Sequence, residues 1–183
     1  MKLVLALALL ASCAAVPSSR APQEAGPENV FSVYLGQRNL DEGDYAPVEE
    51  QAMLGLEFAS NEGLGPVGWE VGLAGSSDES GIFTGSTGEL YVGLHKGFGA
   101  DTVRPYLGLG LAWIRSKVEA DGFGDDDDAS PAGYVHAGID FAVTQAFLIG
   151  LDVRVLGGSD LTIAGVDTDA DYGQIALAFR FGF

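Results

Sequence analysis

Residues 173–183 alternate without a break. Ile175, Leu177, Phe179, Phe181 and Phe183 fall on one face, and Gln174, Ala176, Ala178, Arg180 and Gly182 on the other. Successive side chains of a strand point to opposite sides, so period-two alternation predicts a β-strand between two different environments. One side must be apolar enough to hold a row of large hydrocarbon side chains. The other must accommodate small residues and a guanidinium.

Seven earlier segments repeat the pattern, at residues 30–38, 51–60, 67–75, 88–97, 103–117, 133–143 and 146–156. Each places Val, Leu, Ile, Phe or Trp on one face and mostly Gly, Ala, Tyr or isolated charges on the other. Most span about 9–12 residues, the length of a tilted strand that crosses a bilayer. The connections alternate as well. Those at 61–66, 98–102 and 144–145 are short, and those at 39–50, 76–87, 118–132 and 157–171 are long. Short turns at one rim and long loops at the other characterise outer-membrane barrels. The expected fold is therefore all-β: an eight-stranded antiparallel up-and-down transmembrane β-barrel, with both chain ends in the periplasm. In that register Phe31, Phe58, Trp69, Phe141, Phe147, Phe181 and Phe183 form an aromatic girdle at the periplasmic rim, and Trp113 stands near the outer rim.

The competing architecture is a soluble eight-stranded barrel, which turns its large apolar residues inward and covers its outside with Lys, Thr and Glu. Here the face opposite the aliphatics is largely Gly and Ala, a poor coat against water but a good fit to a crowded interior. Charged residues make up only 19% of the chain, against about 25% in an ordinary soluble domain.

Residues 1–15 are expected to be a signal peptide: Lys2, a short apolar run, then Leu10-Ala11-Ser12-Cys13. The last four resemble a bacterial lipobox, which makes Cys13 the candidate lipidation site. Cys13 is the sole cysteine, so no intramolecular disulfide can form. Residues 16–29, rich in Pro, Ala and Ser, read as a flexible tether. Residues 30–183 make up the barrel.

The strand texture of YLGLGLAW at 106–113 and FRFGF at 179–183, with eight strands and long outer loops, resembles the small OmpA/OmpX-type outer-membrane barrels. The resemblance covers residues 30–183 and is one of architecture, without a catalytic signature. It implies a monomeric barrel in the bacterial outer membrane, in contact with outer-membrane lipid. It also implies handling by the barrel assembly machinery through the C-terminal strand, with Phe179, Phe181 and Phe183 as the assembly signal.

The inward face carries Arg38, Glu57, Glu70, Glu89, His95, His136, Asp140, Asp152, Arg154 and Arg180. An eight-stranded barrel has an interior just wide enough to be filled by side chains, so these charges must pair. A plug of ion pairs is expected, with His95, Glu57, Glu70, Asp140 and Arg180 in the lower half and His136, Asp152 and Arg154 higher. A narrow proton or ion conduit is the alternative. Catalysis on outer-membrane lipid would require a histidine facing lipid or the outer rim, whereas His95 and His136 both face the lumen. His136 and Asp140 lie ~13 Å apart along one strand, too far for a dyad. No cofactor is expected.

The net charge of −17 argues against nucleic acid as a partner. Most of the acid lies in the long loops. Asp125, Asp126, Asp127 and Asp128 form one run, and Asp167, Asp169 and Asp171 alternate in another. The latter opens like a calcium loop, but Tyr172 stands where the motif needs Gly, so a strict EF-hand is excluded. Weak divalent-cation binding at these seven residues is one expectation, and solvated loop tips the other. A basic surface partner would also suit such loops. The functional expectation is a non-enzymatic barrel with an envelope-structural or surface-interaction role.

Overall fold

The computed structural model describes residues 27–61, 67–98, 102–120, 122, 124–163 and 165–183. The expected signal peptide, Cys13 and the tether as far as residue 26 lie outside the described residues. The elements are β1 (Asn29–Leu40), α1 (Glu42–Tyr45), β2 (Glu50–Ser60), β3 (Gly68–Ser80), β4 (Phe83–Gly97), β5 (Val103–Ala120), β6 (Gly124–Ala142), β7 (Phe147–Gly157), β8 (Leu161–Ile163), β9 (Val166–Thr168) and β10 (Tyr172–Gly182). Strands β1 to β7 and β10 close into one antiparallel barrel, and β8 and β9 form a separate small hairpin.

Closure follows from β1, which pairs with β2 on one side and β10 on the other. The seam is in register from Val30↔Gly182 to Leu40↔Tyr172, leaving no free sheet edge along it. The alternation read from sequence is reproduced strand by strand. In β10, Gln174, Ala176, Ala178 and Arg180 are buried, while Ile175, Leu177 and Phe181 are exposed. Leu111 is 70% exposed and Leu90 60%, on a wall of Leu, Val and Ile that surrounds the barrel. A continuous apolar wall of this extent belongs in hydrocarbon, which rules out the soluble inside-out arrangement.

The aromatic girdle is present at the rim that carries the chain ends. Phe147, Phe181, Phe31 and Phe58 stand side by side across β7, β10, β1 and β2. Ring centroids lie 5.1 Å apart for Phe147–Phe181, 5.4 Å for Phe58–Trp69 and 6.2 Å for Phe58–Phe183. Trp113 faces outward, 55% exposed, farther along β5.

The long connections depart from expectation. Two of them are largely strand. The β3–β4 ladder continues to Ser80↔Phe83, turning through Gly81 at φ +65°, a backbone angle that a residue with a Cβ disfavours. The β5–β6 ladder continues to Ala120↔Gly124, so Asp125 to Asp128 are strand residues and not a solvated loop tip. Aspartate has low strand propensity, and the run is held by its partner strand: Arg115 bonds Asp127 at 2.7 Å and Lys117 reaches Asp125 at 2.9 Å. Arg115, two residues beyond Trp113, is thus engaged with Asp127.

The other two long connections fold back over the barrel. Tyr45 at the end of α1 is buried, as is Val48 just after it. Leu161 of β8 and Ala170 after β9 join Leu40, Ile114 and Leu156 in a buried apolar cluster at the hairpin end of the lumen. The Tyr45 hydroxyl donates to Ser116 Oγ at 2.8 Å and pins this cap to β5.

Candidate functional site

All ten charged or imidazole side chains assigned to the lumen from sequence face it, and the structure joins nine of them to the others by ion pairs. The tenth, His95, is looser: its Nδ1 lies 3.7 Å from Glu70. Arg38 Nη2 meets Glu89 Oε1 at 3.1 Å, and Arg154 Nη1 meets the same oxygen at 3.3 Å. Arg154 also reaches Glu57 at 3.6 Å. Arg180 spans Glu57 at 3.4 Å and Asp140 at 3.0 Å. His136 lies between Glu70 and Asp152, each 3.0 Å from a different ring nitrogen. A ring that satisfies both carboxylates presents two N–H donors.

Sequence reasoning placed four tyrosines, Tyr34, Tyr91, Tyr106 and Tyr134, on the inward face without giving them a role, and read Tyr172 only as the residue that breaks a calcium loop; the structure turns all five inward. They are the second half of the network. Tyr34 and Tyr91 donate to Glu57 at 2.8 and 3.1 Å, Tyr134 to Glu70 at 2.6 Å, Tyr172 to Glu89 at 2.7 Å, and Tyr106 to Asp152 at 2.7 Å. Their rings carry the guanidiniums: Arg38 stacks on Tyr172 at 3.9 Å, Arg154 on Tyr91 at 4.0 Å and Arg180 on Tyr106 at 4.5 Å. Each arginine therefore has at least one carboxylate partner and a tyrosine ring against its guanidinium, two environments that hold a buried guanidinium well. The signal available in sequence was the recurrence of Tyr opposite Gly. Gly72 lies under the Tyr91 ring and Gly138 under that of Tyr106, where a Cβ would collide.

One depth assignment changes. His136, expected higher in the lumen, reaches Glu70 and lines the same cavity as His95, Asp140 and Arg180. That cavity, of about 310 Å³, opens at the rim carrying the chain ends. Toward the other rim the ion network and the apolar cap fill the lumen.

The seven acidic residues considered as metal ligands do not converge. Among the described residues no three carboxylate, thiol or imidazole side chains are arranged to hold a metal ion. Asp125 and Asp127 pair with Lys117 and Arg115. Asp128 accepts the backbone N–H groups of Ala129 and Thr162, and these donors lower its carboxyl pKa below the usual value. Asp171 accepts from Gly158 N, Ser159 N and Ser159 Oγ. Asp169 is pushed the other way, raised by partial desolvation and by repulsion from Asp171, Asp44, Asp160 and Asp41. Asp125, Asp127, Asp128 and Asp171 thus organise the hairpins and loops internally.

An apolar wall around a packed polar interior defines a membrane-spanning β-barrel of the smallest common size. The outer membrane protein beta-barrel domain family matches residues 4–183, and the chain belongs to that family. Its place is the bacterial outer membrane. Among solved structures the fold is similar to Neisserial surface protein A, with TM-score 0.67 and 14% identity over 87% of this chain and 100% of that one. It is also similar to the attachment invasion locus protein Ail of Yersinia pestis, with TM-score 0.60 and 18% identity over 86% and 100%. The N-terminal β-barrel domain of Pseudomonas aeruginosa OprF aligns with TM-score 0.55 and 13% identity over 87% and 100%. Among curated proteins no sequence matches.

Proposed function

We propose that this protein is a non-enzymatic outer-membrane barrel that acts through its long hairpins, as a surface-interaction or envelope-structural element. The observation that carries this reading is the filled lumen. Arg38, Arg154, Glu57 and Glu89 occupy its middle, and the Tyr45–Leu161–Ala170 cap closes one end, which leaves the projecting β3–β4 and β5–β6 hairpins as the outward-reaching parts. Both histidines point into the lumen, whereas an enzyme acting on outer-membrane lipid needs its base at the lipid or the rim.

In this reading the hairpin end faces outward and both chain ends lie in the periplasm. Residues 1–15 direct export, Cys13 is lipidated, and residues 16–29 tether the anchor to a monomeric barrel. Phe179, Phe181 and Phe183 present the closing strand to the barrel assembly machinery. Beyond the Lys117–Asp125 and Arg115–Asp127 pairs the outer hairpins and loops still carry Asp78, Glu79, Asp160 and Asp167, more acid than base, so a cationic surface or protein fits them. Ail has been solved in complex with the heparin analogue sucrose octasulfate. A polyanion of that kind would be repelled here.

The test is deletion of the two projecting hairpins beyond Thr87 and Arg115, with cell adhesion and detergent sensitivity as readouts. Loss of either property with the barrel still inserted supports the proposal, and unchanged phenotypes refute it. Purified protein in planar bilayers should show no steady conductance. Reproducible open channels would instead establish the conduit reading.

A further inference from the structure

The β3–β4 and β5–β6 hairpins do not project as two separate fingers. β4 and β5 stay paired as far as Phe83↔Ala120, so four strands leave the rim as one sheet. On the face continuous with the lumen, Asp78 stands beside Gly85, Gly85 beside Val118 and Val118 beside Asp126. That row runs from acid through an apolar centre to acid. Phe83 and Ala120 continue the centre in the next row toward the tip. Arg115 and Lys117, the only basic residues on the four projecting segments, fall on the opposite face, where they meet Asp127 and Asp125. The period of two has thus put both cations on one side of the sheet and left the other side acidic.

Lower on the acidic face the protein fills its own space. Val48 lies over Gly85, where a Cβ would collide with it, and Val118 packs against the buried cap. Toward the tip, Phe83 is 39% exposed and Ile82, in the turn, 48%. Folding does not call for either. Gly81 already supplies the left-handed turn position, and tips are otherwise built from small or polar residues. Hydrocarbon does not reach them, because Thr84, Ser86 and Gly88 occupy the outer face before the apolar wall begins at Leu90. A second copy of the chain would set acid against acid at Asp78 and Asp126.

We propose that the tip of this sheet docks a cationic amphipathic helix of a partner polypeptide, with its apolar stripe on Ile82, Phe83 and Ala120 and its Lys or Arg residues over Asp78 and Asp126. The proposal rests on the reading of the hairpins as the interacting part of the molecule and names what they take. Four strands about 4.8 Å apart make a face about 14 Å wide, which accepts one helix of about 10–12 Å diameter. The apolar stripe of such a helix has polar residues on both sides, as the centre of the sheet has carboxylates on both sides. The apolar contact selects the face of the helix, and the carboxylates speed the encounter.

The experiment uses the full-length protein in nanodiscs of phosphatidylcholine and a fluorescein-labelled Leu/Lys peptide of about fourteen residues, helical with Leu on one face. Anisotropy above that seen with empty nanodiscs, saturating in the micromolar range, is expected. A peptide of the same composition with Leu spread round the helix should bind at least about tenfold more weakly. Ile82→Ser/Phe83→Ser, which leaves the lumen network untouched, should weaken binding about tenfold. Asp78→Asn/Asp126→Asn should weaken it as much at low salt and little at 1 M, where the Debye length is about 3 Å. No binding beyond empty nanodiscs overturns the proposal, and so does binding that the apolar double variant leaves unchanged. Self-association of the protein that Ile82→Ser/Phe83→Ser abolishes would assign the tip to a second copy and overturn it as well. Loss of adhesion on hairpin deletion without peptide binding refutes this partner and leaves the interaction role standing. Peptide binding with unchanged phenotypes refutes the role and keeps the docking surface.

Discussion

The lumen and the β5–β6 hairpin use the same charged groups, carboxylates and guanidinium or ammonium, to opposite ends. Glu57 in the lumen is 1% exposed and touches two tyrosines and two arginines. Asp127 on the hairpin meets one arginine whose side chain is 65% exposed. In the lumen Glu57 has lost almost all of its water and depends on protein partners for its solvation. On the hairpin water and salt remain available to both members of the pair. Losing a partner therefore matters greatly in one place and little in the other.

The largest expected effect comes from Glu57→Ala. It takes one of two carboxylate partners from Arg154 and from Arg180, which keep Glu89 and Asp140, removes the acceptor of two phenol hydroxyls, and should destabilise the barrel by about 3–5 kcal/mol. Urea unfolding in lipid vesicles, followed by the fluorescence of Trp69 and Trp113, measures this. A loss below about 1 kcal/mol would mean that water takes over in the lumen and that the two regions are alike. Next is Tyr134→Phe, which deletes one donor to Glu70 and should cost about 1–3 kcal/mol in the same assay. A silent substitution would show that His136 alone satisfies Glu70.

Asp127→Ala should cost no more than about 1 kcal/mol, and that cost should vanish when salt is raised, since the Debye length falls to about 3 Å at 1 M. A salt-independent cost would place the hairpin ladder in the same class as the lumen. The smallest effect is local and set by pH. Asp128 has its carboxyl lowered by the backbone N–H groups of Thr162 and Ala129. The stabilisation from such a group is complete above the unfolded value near 3.9 and is lost as pH falls through the lower folded value. Hydrogen exchange of the Thr162 amide should accelerate, relative to its intrinsic rate, as acid protonates Asp128. Asp128→Asn should flatten that dependence, and a wild-type amide indifferent to acid would contradict the assignment.

The barrel was legible from sequence because its determinant is local. A period of two along 173–183 decides which side chains face lipid, and a one-residue error would reverse every face at once. Arg180, Glu57 and His136 fell on the correct side for that reason. Their partners did not follow, because Tyr106 reaches Asp152 across 46 positions and Arg38 reaches Gln174 across 136. Such pairs are set by the diameter and stagger of the closed barrel, which no single strand encodes. The hairpin extensions were misread for a third reason. Four consecutive aspartates carry no strand signal, and the ladder that holds them depends on Arg115 and Lys117 standing on the facing strand.

The seam between β1 and β10 has a consequence for the order of events during biogenesis. Arg180 bonds Ser32 across 148 positions of chain, and neighbouring Phe181 stands beside Phe31. Strands β2 to β7 find both partners close in sequence, but β1 gains its second partner only when the last strand is in place. Until then it presents an open row of amides and carbonyls, as does β7. The nascent chain needs shelter for that whole interval, and a truncation that removes β10 would leave it with two such edges and no partner for either.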